Sequence, residues 1–397
     1  MSNLLKRLVE SQKKMPSFSL QQAFYKDPDI YRQDMDNIFF AEWVYACHTS
    51  QLPEVGDTET FDIDTESVIV CRDQQMNIQA FANVCRHRGS RICPNGSSKN
   101  KRLSCPYHAW TYGLDGELLV ARLMPDDFSK ADYGLNKLSV EVFCGFVFVN
   151  LSESPASFDE VKLKLAGVLA PFELENTRLA HYESHPIEAN WKLTYENFFE
   201  CYHCGPAHKE YAQSHSLSLD VKRRDRYHQQ LSERAVAAGI STERVEIPHD
   251  LPATDPQYYH HRSALYEGFQ TASEDGKPVA PLLGSIKAYD GGASDIMIGS
   301  LTYLVVYADH AVLYRFSPRS VDQTDAELFW FVRSDSDDSD IDLDRMKWLW
   351  HVTTLADKKI IEDNQQGVNS RFYQPGPYSP MEEPTKDMVE WYLERIS

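Results

Sequence analysis

No run of apolar residues in this chain approaches the roughly eighteen needed to cross a bilayer as a helix. Cysteine is scarce as well: 8 in 397 residues, too thinly spread for a small secreted disulfide scaffold. Positive charge is in short supply, with Lys+Arg 40 against Asp+Glu 59 and a net charge of −19. A balance that negative repels a phosphate backbone, which argues against nucleic acid as a partner. Internal repeats and low-complexity tracts are lacking. The opening Met1-Ser-Asn-Leu-Leu-Lys-Arg-Leu-Val9 is too short and too soon charged for a secretory signal. These absences lead to the expectation of a soluble, cytoplasmic protein that meets neither membrane nor nucleic acid. What is present is ordinary globular material: 42% hydrophobic residues, with 21 Tyr, 19 Phe and 7 Trp to build cores. At about 150 residues per domain, the length suggests two domains, or three.

The texture changes along the chain. Residues 1–40 carry short helical patterns, with a helix start at Asp27-Pro28. From Trp43 to Asn150 short β runs alternate with turns. Thr58–Asp64, Glu66–Cys71 and Val142–Val149 are such runs, and Asp115-Gly116 is a turn. Helical spacing returns over Phe158–Leu169, and 221–278 is polar enough to predict long surface loops. Leu301–Ala308 and Ala311–Phe316, with a turn at Asp309-His310, predict a hairpin that Ala326–Val332 joins in an antiparallel sheet. Helical patterns close the chain over 341–369 and 384–396, with Pro384 suited to a first turn.

In a reducing compartment, Cys with His nearby is read first as a metal ligand. Cys85-Arg-His87 and Cys105-Pro-Tyr-His108 are separated by 17 residues, each within β texture. Two thiolates on one iron and two neutral imidazoles on the other describe a [2Fe–2S] cluster of raised reduction potential. A tetrahedral zinc site uses the same residue types, but zinc fingers usually place both Cys before both His, and here they alternate. Cys47, Cys71, Cys93 and Cys144 read as buried small hydrophobes.

A second constellation lies in Asn190–His208, where His203 and His208 stand five apart, and far downstream in Ile360–Gly367. Two His and one carboxylate can occupy one face of a non-haem Fe(II) and leave the rest open to O₂ and substrate. Cys201-Tyr-His-Cys204 also allows a redox dithiol, though it lacks the small-residue helix start of a thioredoxin-like unit. His181 and His185 have a helical ligand spacing, but Pro186 follows and no third ligand is near in sequence. They are read as satisfied or solvated, as are His48, His215, His228, His249, His260, His261, His310 and His351.

The Cys85–His87 and Cys105–His108 pairs, with Arg88-Gly89 and Pro106–Trp110 around them, resemble the cluster site of the Rieske non-haem iron oxygenase α subunits. Asn197-Phe198, Glu200 and Tyr202-His203-x₄-His208 resemble that family's iron motif in the same order. The resemblance implies an α+β fold. A β-rich Rieske domain at 41–155 follows an N-terminal helical segment (1–40) that packs on the catalytic domain. The catalytic domain at 156–397 is a curved antiparallel sheet wrapped by helices, of helix-grip, START-like form. His203 and His208 are implied as iron ligands, with Asp363, 155 residues after His208, as the third; Glu362 is its neighbouring rival. Glu200 matches the acid that bridges a cluster His of one subunit to an iron-site His of the next, where most members carry Asp. Asn197 is placed near the iron, although by itself it can equally cap a turn.

Electrons are then implied to pass from NADH or NADPH through a separate flavin/iron-sulfur reductase to the cluster, then to the mononuclear Fe(II) and O₂, within a homotrimer. Pro106–Leu118, Met124–Phe128 and Glu200–Cys204 are similar to the branch that oxidises glycine betaine, proline betaine, choline or carnitine. The implied reaction is N-methyl hydroxylation with loss of formaldehyde, glycine betaine to dimethylglycine being the first reading. An aromatic-ring cis-dihydroxylating dioxygenase is the alternative, and a Rieske electron carrier without catalytic iron a third. Tyr303, Tyr307, Tyr314 and Trp330 offer aromatic faces to a cation, but core packing explains each singly, and no substrate-binding residue is assigned.

Overall fold

In the computed structural model, which describes residues 3–215 and 221–397, the chain divides into a unit 41–155 and a unit formed by 1–40 with 156–397. The first begins with β1 (Val44–His48), β2 (Asp57–Ile63), β3 (Glu66–Arg72), β4 (Ile78–Ala82) and β5 (Gly96–Lys99). Short strands β6 (Leu103–Ser104), β7 (Thr111–Tyr112) and β8 (Leu118–Val120) follow, then β9 (Lys137–Phe143) and β10 (Phe146–Asn150). Seven strands form one sheet in the order β1-β10-β9-β4-β3-β2-β5, and β6-β7-β8 form another.

Alternation decides the faces. In β2, Thr58, Thr60 and Phe61 are buried while Glu59 and Asp62 are more accessible. β3 is buried from Ser67 through Cys71, as a central strand should be. Val142–Val149 is two strands, not the single run expected. Cys144 (φ 49°) and Gly145 (φ 82°) both adopt the left-handed conformation, so the chain reverses in a two-residue hairpin that pairs Phe143 with Phe146.

In the other unit, α1 (Asn3–Gln12), α2 (Gln22–Lys26) and α3 (Pro28–Asp34) lead. Asp27 caps α3 by accepting from the Asp29 N–H at 2.8 Å, and Pro28 occupies the first turn. After α4 (Asp159–Leu169) comes β11 (Thr177–Ile187), then α5 (Trp191–Phe198), α6 (Cys204–Ala207), α7 (Lys209–Ser214) and α8 (Val221–Ala238). The sheet is completed by β12 (Tyr258–Ala264), β13 (Gly292–Ile298), β14 (Thr302–Val306), β15 (Ala311–Ser320) and β16 (Gln323–Arg333). Its order is β11-β16-β15-β14-β13-β12, antiparallel throughout, and α9 (Leu343–Val368) and α10 (Glu383–Arg395) follow it. The sheet is curved and wrapped by helices. The hairpin at Asp309-His310 and the strand that joins it stand as the sequence predicts.

The polar stretch 221–278 departs from expectation, because it holds α8 and β12 rather than loops alone. Leu231, Ala235 and Ala238 are buried at helical spacing on α8. A stripe that narrow, with two alanines in three residues, leaves little hydrophobic signal in the sequence. Among the described residues no helix is long and apolar enough to cross a membrane.

Candidate metal centres

The two Cys/His segments fold into the same turn. The Cys85 N–H bonds the Ser90 carbonyl at 2.9 Å, and the Cys105 N–H bonds the Trp110 carbonyl at 2.8 Å. The Gly89 and Ala109 N–H groups return to the Cys85 and Cys105 carbonyls at 2.9 and 3.0 Å. Closing each turn requires a left-handed residue, Gly89 (φ 75°) in one and Ala109 (φ 57°) in the other. Alanine there costs about 1 kcal/mol relative to glycine.

The matched turns set the ligand-type atoms in two pairs. Cys85 and Cys105 are buried side by side, 2% and 3% exposed. The His87 and His108 rings lie 4.7 Å apart, centre to centre. Burial holds the Cys85 thiol above its ordinary pKa, and Cys105 adds to this; the Tyr112 hydroxyl, 3.3 Å from the sulfur, and the His87 N–H oppose it. His87 stacks on Trp110 at 4.8 Å, and its Nδ1 is buried with no hydrogen-bond partner. A buried, unsatisfied imidazole nitrogen is costly unless something electrophilic meets it. Two sulfurs on one side and two imidazoles on the other are the donor set of a two-iron cluster with unlike irons.

In the unit formed by 1–40 and 156–397, His203 and His208 bracket the single turn of α6, which brings their rings to 5.0 Å. The carboxylate that meets them is Asp357. Its Oδ1 lies 3.1 Å from His203 Nε2 and 3.3 Å from His208 Nε2. His208 is 3% exposed, and neither of its ring nitrogens has a hydrogen-bond partner of good geometry, so its Nε2 is an orphan aimed at the same space. Burial opposes charge on both imidazoles. At His203, however, Asp357 and Glu200 outweigh burial and raise the pKa to about 10, while His208 is lowered. A carboxylate oxygen near 3 Å from each of two imidazole nitrogens suits one ion about 2.0–2.2 Å from each donor.

Asp363, expected as the third ligand, is elsewhere. On α9 the residues Met346, Trp350, Thr353, Thr354, Ile361, Gln365 and Val368 form the buried stripe, and Asp357 is in phase with it. Asp363, six residues on, has turned to solvent; its side chain is 55% exposed and pairs with Lys359. Glu362 is held by Lys358 and accepts the Glu188 N–H at 3.0 Å. The carboxylate that stands beside His203 and His208 is thus Asp357 and not Asp363.

Glu200 faces His203, its Oε1 2.5 Å from Nδ1 and its Oε2 accepting the Tyr202 and His203 N–H groups. A carboxylate on the far nitrogen fixes the tautomer and leaves Nε2 free to ligate. Asn197 Nδ2 lies 3.4 Å from His203 Nε2. Cys204 is also close to both histidines, but Cys201 beside it and burial push its thiol far up, away from the thiolate that ligates. Aromatic rings continue from the site. Tyr211 is 5.7 Å from His208 and 5.5 Å from Trp350, and Phe198 lies within 5.4 Å of Tyr303, Tyr314 and Phe316.

A second group of ligand-type side chains was missed. Glu183, His185 and His351 converge, with His181 beside them. His181 and His185 sit on β11, so the expected helical spacing is a strand alternation, and the acid expected to be lacking lies between them. Burial would raise the Glu183 carboxyl, but hydrogen bonds from His351, His181 and His185 bring it to about 2. The available signal was His181-x-Glu183-x-His185, which puts three such residues on one strand face.

Residues 174–397 match the family model for the ring hydroxylating α subunit (catalytic domain), and residues 42–129 that for the Rieske [2Fe-2S] domain. The glycine betaine monooxygenase oxygenase subunit of Chromohalobacter salexigens is 36% identical over 95% of this chain and 86% of its own length. That of Pseudomonas aeruginosa (strain UCBPP-PA14) is 35% identical over 96% and 89%. In fold, the quaternary ammonium Rieske monooxygenase CntA superposes with a TM-score of 0.75, covering 96% of this chain and 97% of that one at 22% identity. The chain belongs to the Rieske non-haem iron oxygenase α subunits, the ring-hydroxylating family. It is an oxidoreductase closely related to the quaternary-ammonium branch of that family.

Proposed function

We propose that Cys85 and Cys105 hold one iron of a [2Fe–2S] cluster and His87 and His108 the other, and that His203, His208 and Asp357 hold a mononuclear Fe(II). On this reading the enzyme takes electrons from a separate reductase and hydroxylates an N-methyl group of a quaternary ammonium compound, with glycine betaine as the first candidate. The observation that carries the reading is the orphaned His208 Nε2, which shares its space with His203 Nε2 and one Asp357 oxygen. When bound, the iron supplies O₂ activation from the positions that a two-His, one-carboxylate face leaves open.

The chain's own residues do the rest. Tyr211, Trp350 and Tyr314, linked ring to ring at 5.5 Å, present aromatic faces to a trimethylammonium group, each contact contributing roughly 0.5–2 kcal/mol. In sequence, relatives named for glycine betaine match nearly the whole chain, whereas carnitine monooxygenase oxygenase subunits match 50% of it, although CntA covers 96% of it in fold. With a compatible reductase, glycine betaine should drive O₂ uptake and release about one formaldehyde per turnover. Cis-diol formation from arenes with no formaldehyde from any betaine would replace this reading with ring dihydroxylation.

Glu200 serves electron transfer in this proposal. It already holds His203, and His108 is exposed, as a contact with a neighbouring subunit of a trimer requires. In Glu200→Ala the cluster's visible absorption should persist while substrate turnover falls about 10- to 100-fold or more. Unchanged turnover in that variant removes the bridge.

A further inference from the structure

Three imidazoles close on one carboxylate where β11 meets α9. His181, Glu183 and His185 alternate along β11 and share a face, while His351 comes from α9, 168 residues beyond Glu183. Glu183 Oε2 is 3.0 Å from His185 Nε2 and 2.8 Å from His351 Nδ1. Glu183 Oε1 is 3.0 Å from His181 Nε2. Glu183 and His185 are each 14% exposed, and His351 39%, so the group is sheltered but open to solvent on one side.

The geometry points to a second metal site, apart from the reaction centre, that takes a divalent transition ion of the zinc type through Glu183 Oε2, His185 Nε2 and His351 Nδ1. These three donor atoms lie within 4.8 Å of one another. Two of the separations fall near 3 Å, a little inside the roughly 3.3 Å that ligands about 2.0–2.1 Å from a tetrahedral ion would span. Two imidazoles with one carboxylate select zinc and its transition-metal neighbours over magnesium or calcium, which prefer oxygen ligands. His181 holds the other carboxylate oxygen, the outer hydrogen bond that such ligands usually have. Around the group, His185 and His351 lie 5.6 Å apart, ring to ring, and Trp330 lies 5.4 Å from His181. Because the donors come from two elements far apart in the chain, the ion's role is structural. It ties β11 to α9, the helix that presents Asp357 six residues after His351.

The test is zinc titration of the iron-loaded enzyme, with zinc and iron counted in the same desalted sample. One zinc per chain should be retained in the wild type with no loss of iron, and equally in Asp357→Ala with no further loss from the two irons that variant is expected to hold. His185→Ala and His351→Ala should bind zinc at least ~100-fold more weakly while keeping their iron. His351→Gln, a change at a partly exposed helix position, guards against a folding failure in the alanine variants and should lose zinc equally. The proposal is overturned if the wild type takes up no zinc. It is likewise overturned if uptake survives in all the histidine variants, or if zinc enters only by displacing iron and is lost in Asp357→Ala.

Discussion

Asp357→Ala is expected to take the chain from about three irons to about two and to cut turnover at least ~100-fold, while Asp363→Ala leaves both near wild type. The contrast follows from helix phase. Asp357 is in phase with the buried stripe of α9, its Oδ1 within 3.3 Å of both His203 and His208. Removing it takes away the only carboxylate placed between the two imidazoles among the described residues, and leaves the buried His208 beside an empty space. Asp363 is on the solvent side, paired with Lys359 one turn earlier, a contact worth about 0.3–0.5 kcal/mol. Iron and labile sulfide analysis separates the two metal sites, because the cluster lies on other loops and its absorption should be unaffected. Full iron content in Asp357→Ala, or collapse in Asp363→Ala, would return the ligand to the position that the Glu-Asp dipeptide suggested.

The grouping of Cys85, His87, Cys105 and His108 was legible because its information is local. Cys85 with His87 and Cys105 with His108 each sit within one tight turn, so spacing along the chain is close to spacing in space. His203 and His208 share that property through the single turn of α6. Asp357 does not. It belongs to a helix with several acids, and only the helical phase of Met346, Trp350, Thr353, Ile361 and Val368 separates it from Asp363. The hairpin at Cys144-Gly145 was hidden for a related reason: both flanking strands are apolar, so the run looks continuous until the left-handed pair breaks it. His351 was beyond reach, since strand alternation can align His181, Glu183 and His185 but says nothing of a helix that arrives much later in the chain. The antiparallel hairpin of β14 and β15 was readable because its apolar runs flank a polar Asp309-His310 turn.

The largest stability loss is expected at Asp34, which is fully buried at the end of α3. Its Oδ2 accepts from the Trp191 indole at 3.0 Å and pairs with Lys192 Nζ, and its Oδ1 accepts from the Tyr392 hydroxyl at 2.9 Å. One carboxylate thus ties α3 to α5 and α10. Burial raises the Asp34 carboxyl and lowers the Lys192 amine, and each opposes that shift in the other. In Asp34→Ala, Lys192 is left buried without a counter-charge and the two neutral donors without an acceptor, a loss of about 3–5 kcal/mol. The Ala exchange at Asp27, which removes only the cap of α3, should cost about 1 kcal/mol by comparison. Pairing Asp34→Leu with Lys192→Met removes both charges and should recover much of the difference, because the expense lies in the unpaired ion. Denaturant midpoints at constant slope give all three values. The consequence reaches the metal site through α5, which carries Lys192 in its first turn and Asn197 near its end, shortly before Glu200 and His203. A loss below about 1 kcal/mol in Asp34→Ala would mean that solvent reaches this ion pair, and that packing of the α3, α5 and α10 aromatics alone holds the segment in place.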